Sequence, residues 1–167
     1  VLITAKVTES EGISSVSLEY QVVEPGNYIE IEDPEYKNQW SVLQMVDNGT
    51  NGDAQAGDDI FTVKMAKSLQ KNRHLIRYRI LATDVTGISI RGPYDDDTNH
   101  NFAYFVYDGT PDWSGSVRRN GSKITFPGSL MSSIPTYFLL TKASSVTASQ
   151  FGGYGGSEYQ WKGTLVY

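Results

Sequence analysis

Residues 73–91 read RHLIRYRILATDVTGISIR. From Arg73 to Thr83 the residues alternate, with Ile76, Tyr78, Ile80 and Ala82 on one face and Arg77, Arg79 and Leu81 on the other. A period of two is the pattern of a strand with one face turned toward a core. Asp84-Val85-Thr86-Gly87 reads as a tight hairpin turn. Aspartate there folds its side chain back onto nearby backbone, and glycine accepts positive φ. Residues 88–91 then return as a second strand, so the longest regular segment of the chain is one arm of a β-hairpin.

The same alternation extends in both directions. Val1, Ile3, Ala5 and Val7 share a face, as do Val16, Leu18, Tyr20 and Val22, with Glu24-Pro25-Gly26-Asn27 a strong turn after them. Residues 28–32 alternate again, Ile29 and Ile31 against Glu30 and Glu32, until Asp33-Pro34 ends the run. Residues 40–46 are apolar on both faces, which predicts a central strand with Trp40 in the core. Phe61, Val63 and Met65 define another strand, opposed to Thr62 and Lys64, and residues 102–107 form a last aromatic one. No segment of this half has helical periodicity. Eight short strands with regular turns predict an all-β fold, a two-sheet sandwich of immunoglobulin or fibronectin III character over residues 1–107.

Composition agrees. The 167 residues are 39% hydrophobic and 20% charged, with sixteen glycines and eleven tyrosines, which favours strands and turns. Cysteine is absent, so disulfides, thiolate metal sites and thiol nucleophiles are excluded. The net charge of −5 argues against general nucleic-acid binding, which needs a basic face. No apolar run is long enough for a membrane-spanning helix, and no targeting segment is visible. Residues 1–107 hold 9 basic against 16 acidic residues, and residues 108–167 hold 5 against 3. That shift predicts a boundary near residues 107–113. The chain opens on Val1 and stops on Tyr167 inside strand-like runs, the expectation for a piece of a longer protein.

Beyond the boundary, residues 108–115 read as a linker anchored by Trp113, and residues 116–167 as a separate β-rich segment. Residues 117–124 have the form of a hairpin with Asn120-Gly121 at its tip. Short helical turns are expected over 129–133 and 146–150, and strands over 136–141 and 160–167. So few buried-type positions predict a part that cannot fold alone.

The chemistry concentrates in residues 47–59, DNGTNGDAQAGDD, between two strand runs. Four aspartates, two asparagines and three glycines offer hard oxygen donors and tight bends, the ingredients of a Ca²⁺ loop. With Asp47 at position 1, Asn51, Asp53 and Asp58 fall at 5, 7 and 12 and Gly52 at 6, part of the EF-hand spacing. Position 3 is Gly49 and position 12 an aspartate rather than glutamate, and the flanks are strands. The candidate metal ligands are therefore Asp47, Asn51, Asp53 and Asp58. The competing reading is that Asp and Asn bond only their own backbone and order the turn without an ion.

Other features carry less. Asp95-Asp96-Asp97 reads as a solvated acidic linker. His74 and His100 have no serine partner in a triad spacing. FGGYGG at 151–156 lacks the Lys and Ser or Thr of a phosphate-binding loop. Tyr28, Tyr36 and Trp40 suggest an aromatic sugar-binding strip, against the favoured reading of Trp40 as core and the tyrosines as ordinary strand residues. Asn48-Gly49-Thr50 and Asn120-Gly121-Ser122 match the N-glycosylation sequon.

Four stretches in order, DNGTNGDAQAGDDIFTV, HLIRYRILATDVTG, NFAYFVYDGTPDW and SEYQWKGTLVY, resemble a known arrangement. In it an extracellular immunoglobulin-like domain precedes a spore-coat-H-type (CotH) kinase-like domain in large secreted bacterial proteins. Asp59 departs from the glycine usual there. The resemblance implies a secreted or cell-surface bacterial protein whose full-length form is an atypical kinase. Phosphoryl transfer needs a phosphate-binding lysine, metal-binding acids and a base, and no residue here matches those roles. The expected function is a non-catalytic spacer or docking platform for the CotH-like domain, with adjacent domains of the same chain as partners. The alternatives are a calcium-stabilised adhesion or carbohydrate-binding module, and the ATP-binding part of an atypical kinase through residues 151–162.

Overall fold

The computed structural model describes residues 1–116, 118, 121–151 and 160–167. The chain divides into two compact units, Val1–Glu24 with Ile29–Val106, and Pro25–Tyr28 with Tyr107–Tyr167.

The first unit holds seven strands in two antiparallel sheets. Strands β1 (Leu2–Lys6) and β4 (Ile60–Lys64) pair as one sheet. The other runs β3 (Ser41–Met45), β2 (Ile13–Val23), β5 (Leu75–Asp84), β6 (Ser89–Gly92), with β7 (Phe102–Phe105) also on β5. The long strand foreseen from the alternation is the centre of the larger sheet. It pairs with β2 in the register Val16↔Ala82, Leu18↔Ile80, Tyr20↔Tyr78, Val22↔Ile76. Directly opposed residues share a face, so two alternating patterns merge into one apolar surface.

One cluster is filled from both sheets. Ile3 and Val63 come from the small sheet and Val16, Leu18, Met45, Ile76 and Ala82 from the large one, with Met65 just beyond β4. Leu18 and Ile76 are fully buried, each contributing about 1.5–3 kcal/mol by removal from water. The turn after β5 closes as the sequence requires. Asp84 Oδ1 accepts from Thr86 N at 2.8 Å, Thr86 Oγ1 at 2.7 Å and Ile88 N at 2.9 Å, and Gly87 takes φ +90°.

Residues 28–40 differ from expectation. Residues 28–32 form no strand, and Pro34–Asn38 form a short helix, α1. Asp33 causes the change: its Oδ2 accepts from Glu30 N at 2.8 Å, and its own N donates to Glu30 O at 3.1 Å. This local turn competes with any ladder, and Pro34 starts the helix at a position where its missing N–H is no loss.

Helix α1 covers the outer face of the large sheet. Tyr36 is buried, whereas Trp40 is only half-buried, so the core aromatic of this segment is Tyr36. Arg77, outward by alternation, is buried as well. Its guanidinium lies 5.5 Å from the Tyr36 ring centroid and Nη1 donates to Ile29 O at 2.8 Å. Beside it Gln21 Nε2 donates to Glu35 O at 3.0 Å and Gln39 O at 3.2 Å. Strand β3 is an edge strand with Val42 exposed, not the central strand predicted. Thr62, expected to face outward, is buried and bridges to Val46.

In the second unit, β8 (Trp113–Gly115) pairs with β9 (Ile124–Phe126), and Trp113 stacks on Phe126 at 5.6 Å. The last three residues of the expected linker are thus strand. Of the expected hairpin over 117–124, Val117, Arg119 and the tip residue Asn120 lie outside the described residues. Helices α2 (Gly128–Met131) and α3 (Ala143–Phe151) and strands β10 (Phe138–Leu140) and β11 (Thr164–Val166) follow. Strands β10 and β11 pair antiparallel, and Thr141 Oγ1 donates to Lys162 O at 2.8 Å. Leu140 and Thr141 are the buried positions among the described residues of this unit, while Tyr137, Leu139 and Leu165 are exposed.

Candidate functional site

The loop over residues 47–59 joins β3 of the large sheet to β4 of the small one. It is held at its base by Val46 and Thr62, whose backbones exchange hydrogen bonds at 2.8 and 2.9 Å. Its bends need unusual backbone. Asn51 takes φ +55° and Asp59 φ +66°, conformations that Asn and Asp tolerate better than most residues. Gly52 takes φ +100°, and a Cβ there would stand 2.6 Å from Leu2 Cδ2.

Within this frame the loop carboxylates bind backbone. Asp47 Oδ1 accepts from Gly57 N at 2.6 Å and Asp58 N at 3.3 Å, and its Oδ2 accepts from Asp59 N at 3.0 Å. Asp53 is 7% exposed, and its Oδ2 accepts from Gly49 N at 2.6 Å. Asp58 Oδ1 accepts from Ile60 N at 3.0 Å. Asn48 Oδ1 takes Thr50 N and Thr50 Oγ1 at 3.0 and 2.6 Å. Of the four sequence-predicted ligands, Asp47, Asp53 and Asp58 each offer a carboxylate oxygen within 4.8 Å of the others. Asn51 is exposed and takes positive φ.

The spacing fits a hard cation. Two oxygens bound to one Ca²⁺ at about 2.4 Å stand at most about 5 Å apart, and the triad meets that limit. Three anionic oxygens suit Ca²⁺ better than a softer metal that prefers nitrogen or sulfur donors. Asp47 would bring both oxygens already bonded to N–H groups, whereas Asp53 and Asp58 each have an oxygen without a bond among the described residues.

The other candidates are dispersed. Tyr36 and Trp40 meet edge to face at 5.5 Å, with Tyr36 buried and the Arg79 guanidinium 4.0 Å from the Trp40 centroid; Tyr28 bonds Thr164 Oγ1 through its hydroxyl at 2.9 Å. His74 is buried at the start of β5, and His100 is exposed. Asp97 accepts from Tyr94 N at 2.8 Å, and Asp95 faces Arg91. The glycine-rich residues 152–159 lie outside the described residues. One group was not foreseen: Lys37, Arg79 and Arg91 gather at a cavity beside β5. Comparison with known proteins returns no match, whether to a family model, a curated protein or a solved structure.

Proposed function

We propose that the chain is a non-catalytic extracellular module: an immunoglobulin-like sandwich followed by part of a CotH-like domain, acting as a spacer or docking platform and stiffened by Ca²⁺ in the 47–59 loop. The observation that carries this reading is the convergence of Asp47, Asp53 and Asp58 within 4.8 Å on the connection between the two sheets. A cation there would tie both sheets to one point, and resistance to deformation is what a spacer requires. The exposed Tyr137, Leu139 and Leu165 of the second unit support its role as a surface for an adjacent domain, since clustered exposed apolar residues mark interaction sites.

Calcium titration by calorimetry, with melting measured alongside, tests the reading. With a Kd on the order of 10⁻⁴ to 10⁻³ M, as in other extracellular modules, about 10 mM Ca²⁺ stabilises by roughly 1.4–2.7 kcal/mol. Asp53→Asn keeps an acceptor for Gly49 N and removes the charge, so it should fold and lose the calcium response. Absence of both heat and melting shift in the parent chain would refute the calcium clamp. A melting shift with Mg-ATP would replace the spacer by a nucleotide-binding role.

A further inference from the structure

Strand β5 changes partner along one edge. Ile80–Thr83 pair with β6 and Leu75–Tyr78 with β7, and Arg79 stands at the changeover. Residues 93–101 must therefore leave the sheet after Gly92 and return at Phe102. Together with α1 this excursion walls a cavity of about 320 Å³, within the range of small-molecule sites.

Three cations line the cavity, in a unit that is acidic overall. Lys37, Arg79 and Arg91 line it with one acid, Asp95, whose side chain is 90% exposed and whose Oδ1 accepts from Arg91 Nη1 at 3.4 Å. Arg79 is held in place twice: its guanidinium lies 4.0 Å from the Trp40 centroid, and Nε donates to His100 O at 3.0 Å. Those contacts fix the plane of the group and leave both terminal nitrogens without a hydrogen bond among the described residues. Arg91 Nε is buried without a hydrogen bond, 3.7 Å from Glu19 Oε2. Ile31, Pro93 and the half-exposed Tyr94 also line it.

We propose that this cavity binds a ring-bearing organic carboxylate, its carboxylate between Arg79 and Arg91 and its ring against Tyr94. A planar guanidinium matches a carboxylate with two parallel hydrogen bonds, and a pre-positioned one loses little freedom on binding. Tyr94 offers the face on which a sugar or aromatic ring packs. The site shares no residue with the 47–59 loop and adds a ligand to a module otherwise read as a spacer.

The test uses the whole chain and three probes: D-galacturonate, its uncharged methyl ester, and benzoate, each followed by NMR titration. Saturable shifts centred on the amides of Arg79, Arg91 and Tyr94 are expected for one or both carboxylates, and which of the two binds separates an acidic sugar from an aromatic acid. The ester should bind about tenfold more weakly or worse, the effect of losing a charged hydrogen-bond pair. Arg79→Gln should weaken the carboxylate about as much. Lys37→Gln, at an exposed position on α1, should weaken it less and leaves the fold intact should the arginine variant fail to fold. No saturable shift with either acid, equal binding of acid and ester, or binding unchanged in both variants would overturn the proposal.

Discussion

Asp47→Ala measures whether the loop is held by its own carboxylates. The substitution strands three backbone donors: Gly57 N and Asp59 N, accepted at 2.6 and 3.0 Å, and Asp58 N at 3.3 Å. A hydrogen bond to a charged group contributes about 1.5–3 kcal/mol when shielded. Gly57 and Asp59 are exposed, so water recovers much of that, and the 3.3 Å contact is weak. The net loss is about 2 kcal/mol, and about half as much for Asp47→Asn, which keeps one acceptor oxygen. For a domain of this size each kcal/mol lowers the melting temperature by about 4–8 °C, so the alanine variant should melt about 10 °C lower. The assay is calorimetric melting in chelator, which excludes any ion. An alanine variant melting within about 2 °C of the parent would show that these bonds do not order the loop. Repeating the series in Ca²⁺ separates the two contributions, since both Asp47 variants should also lose the calcium response.

Ile76→Ala opens a hole at a position with no exposure, and a loss of about 2–5 kcal/mol should appear in denaturant unfolding with an unchanged slope. Asp84 has its pKa lowered, chiefly by the Thr86 side chain and then by the backbone N–H groups of Ile88 and Thr86. Its contribution is complete above the ordinary aspartate value and is lost as pH falls through the depressed folded value. The melting gap between parent and Asp84→Asn should therefore close on acidification, and a gap constant with pH would contradict that assignment. Gly52→Ala, at φ +100°, should cost about 1–2 kcal/mol from backbone strain alone, because the nearest obstacle is the flexible end of Leu2.

The sheets were legible in the sequence because burial there is one-sided and period two reports it directly. The β5–β6 hairpin, the turn at Asp84 and the inward set of Ile76, Ile80 and Ala82 needed no tertiary information. The reading failed where a second layer covers a face that alternation marks as outer. Arg77 and Gln21 look solvated in one dimension, and only the placement of α1 over them makes them buried. The helix itself is five residues long, too short for a 3.6-residue period to register. In the loop, the sequence spacing grouped Asp47, Asp53 and Asp58, whose carboxylates do converge, whereas the positive φ of Asn51 is a backbone property that spacing does not report. The cation-lined cavity was hidden for a different reason, because Lys37, Arg79 and Arg91 are separated in sequence and meet only through the placement of α1 and the pairing of β5 with β6.

That exchange also makes the segment after β6 a natural place for variation. Gly92 is in register with Ile80 and Phe102 with Tyr78, so both ends of the nine-residue excursion are pinned two positions apart on one strand, about 7 Å. A replacement segment of another length would begin and finish on the same rigid rail without altering any strand pairing. Grafting there should exchange the wall of the cavity, and with it the ligand, while the sheet beneath stays as it is.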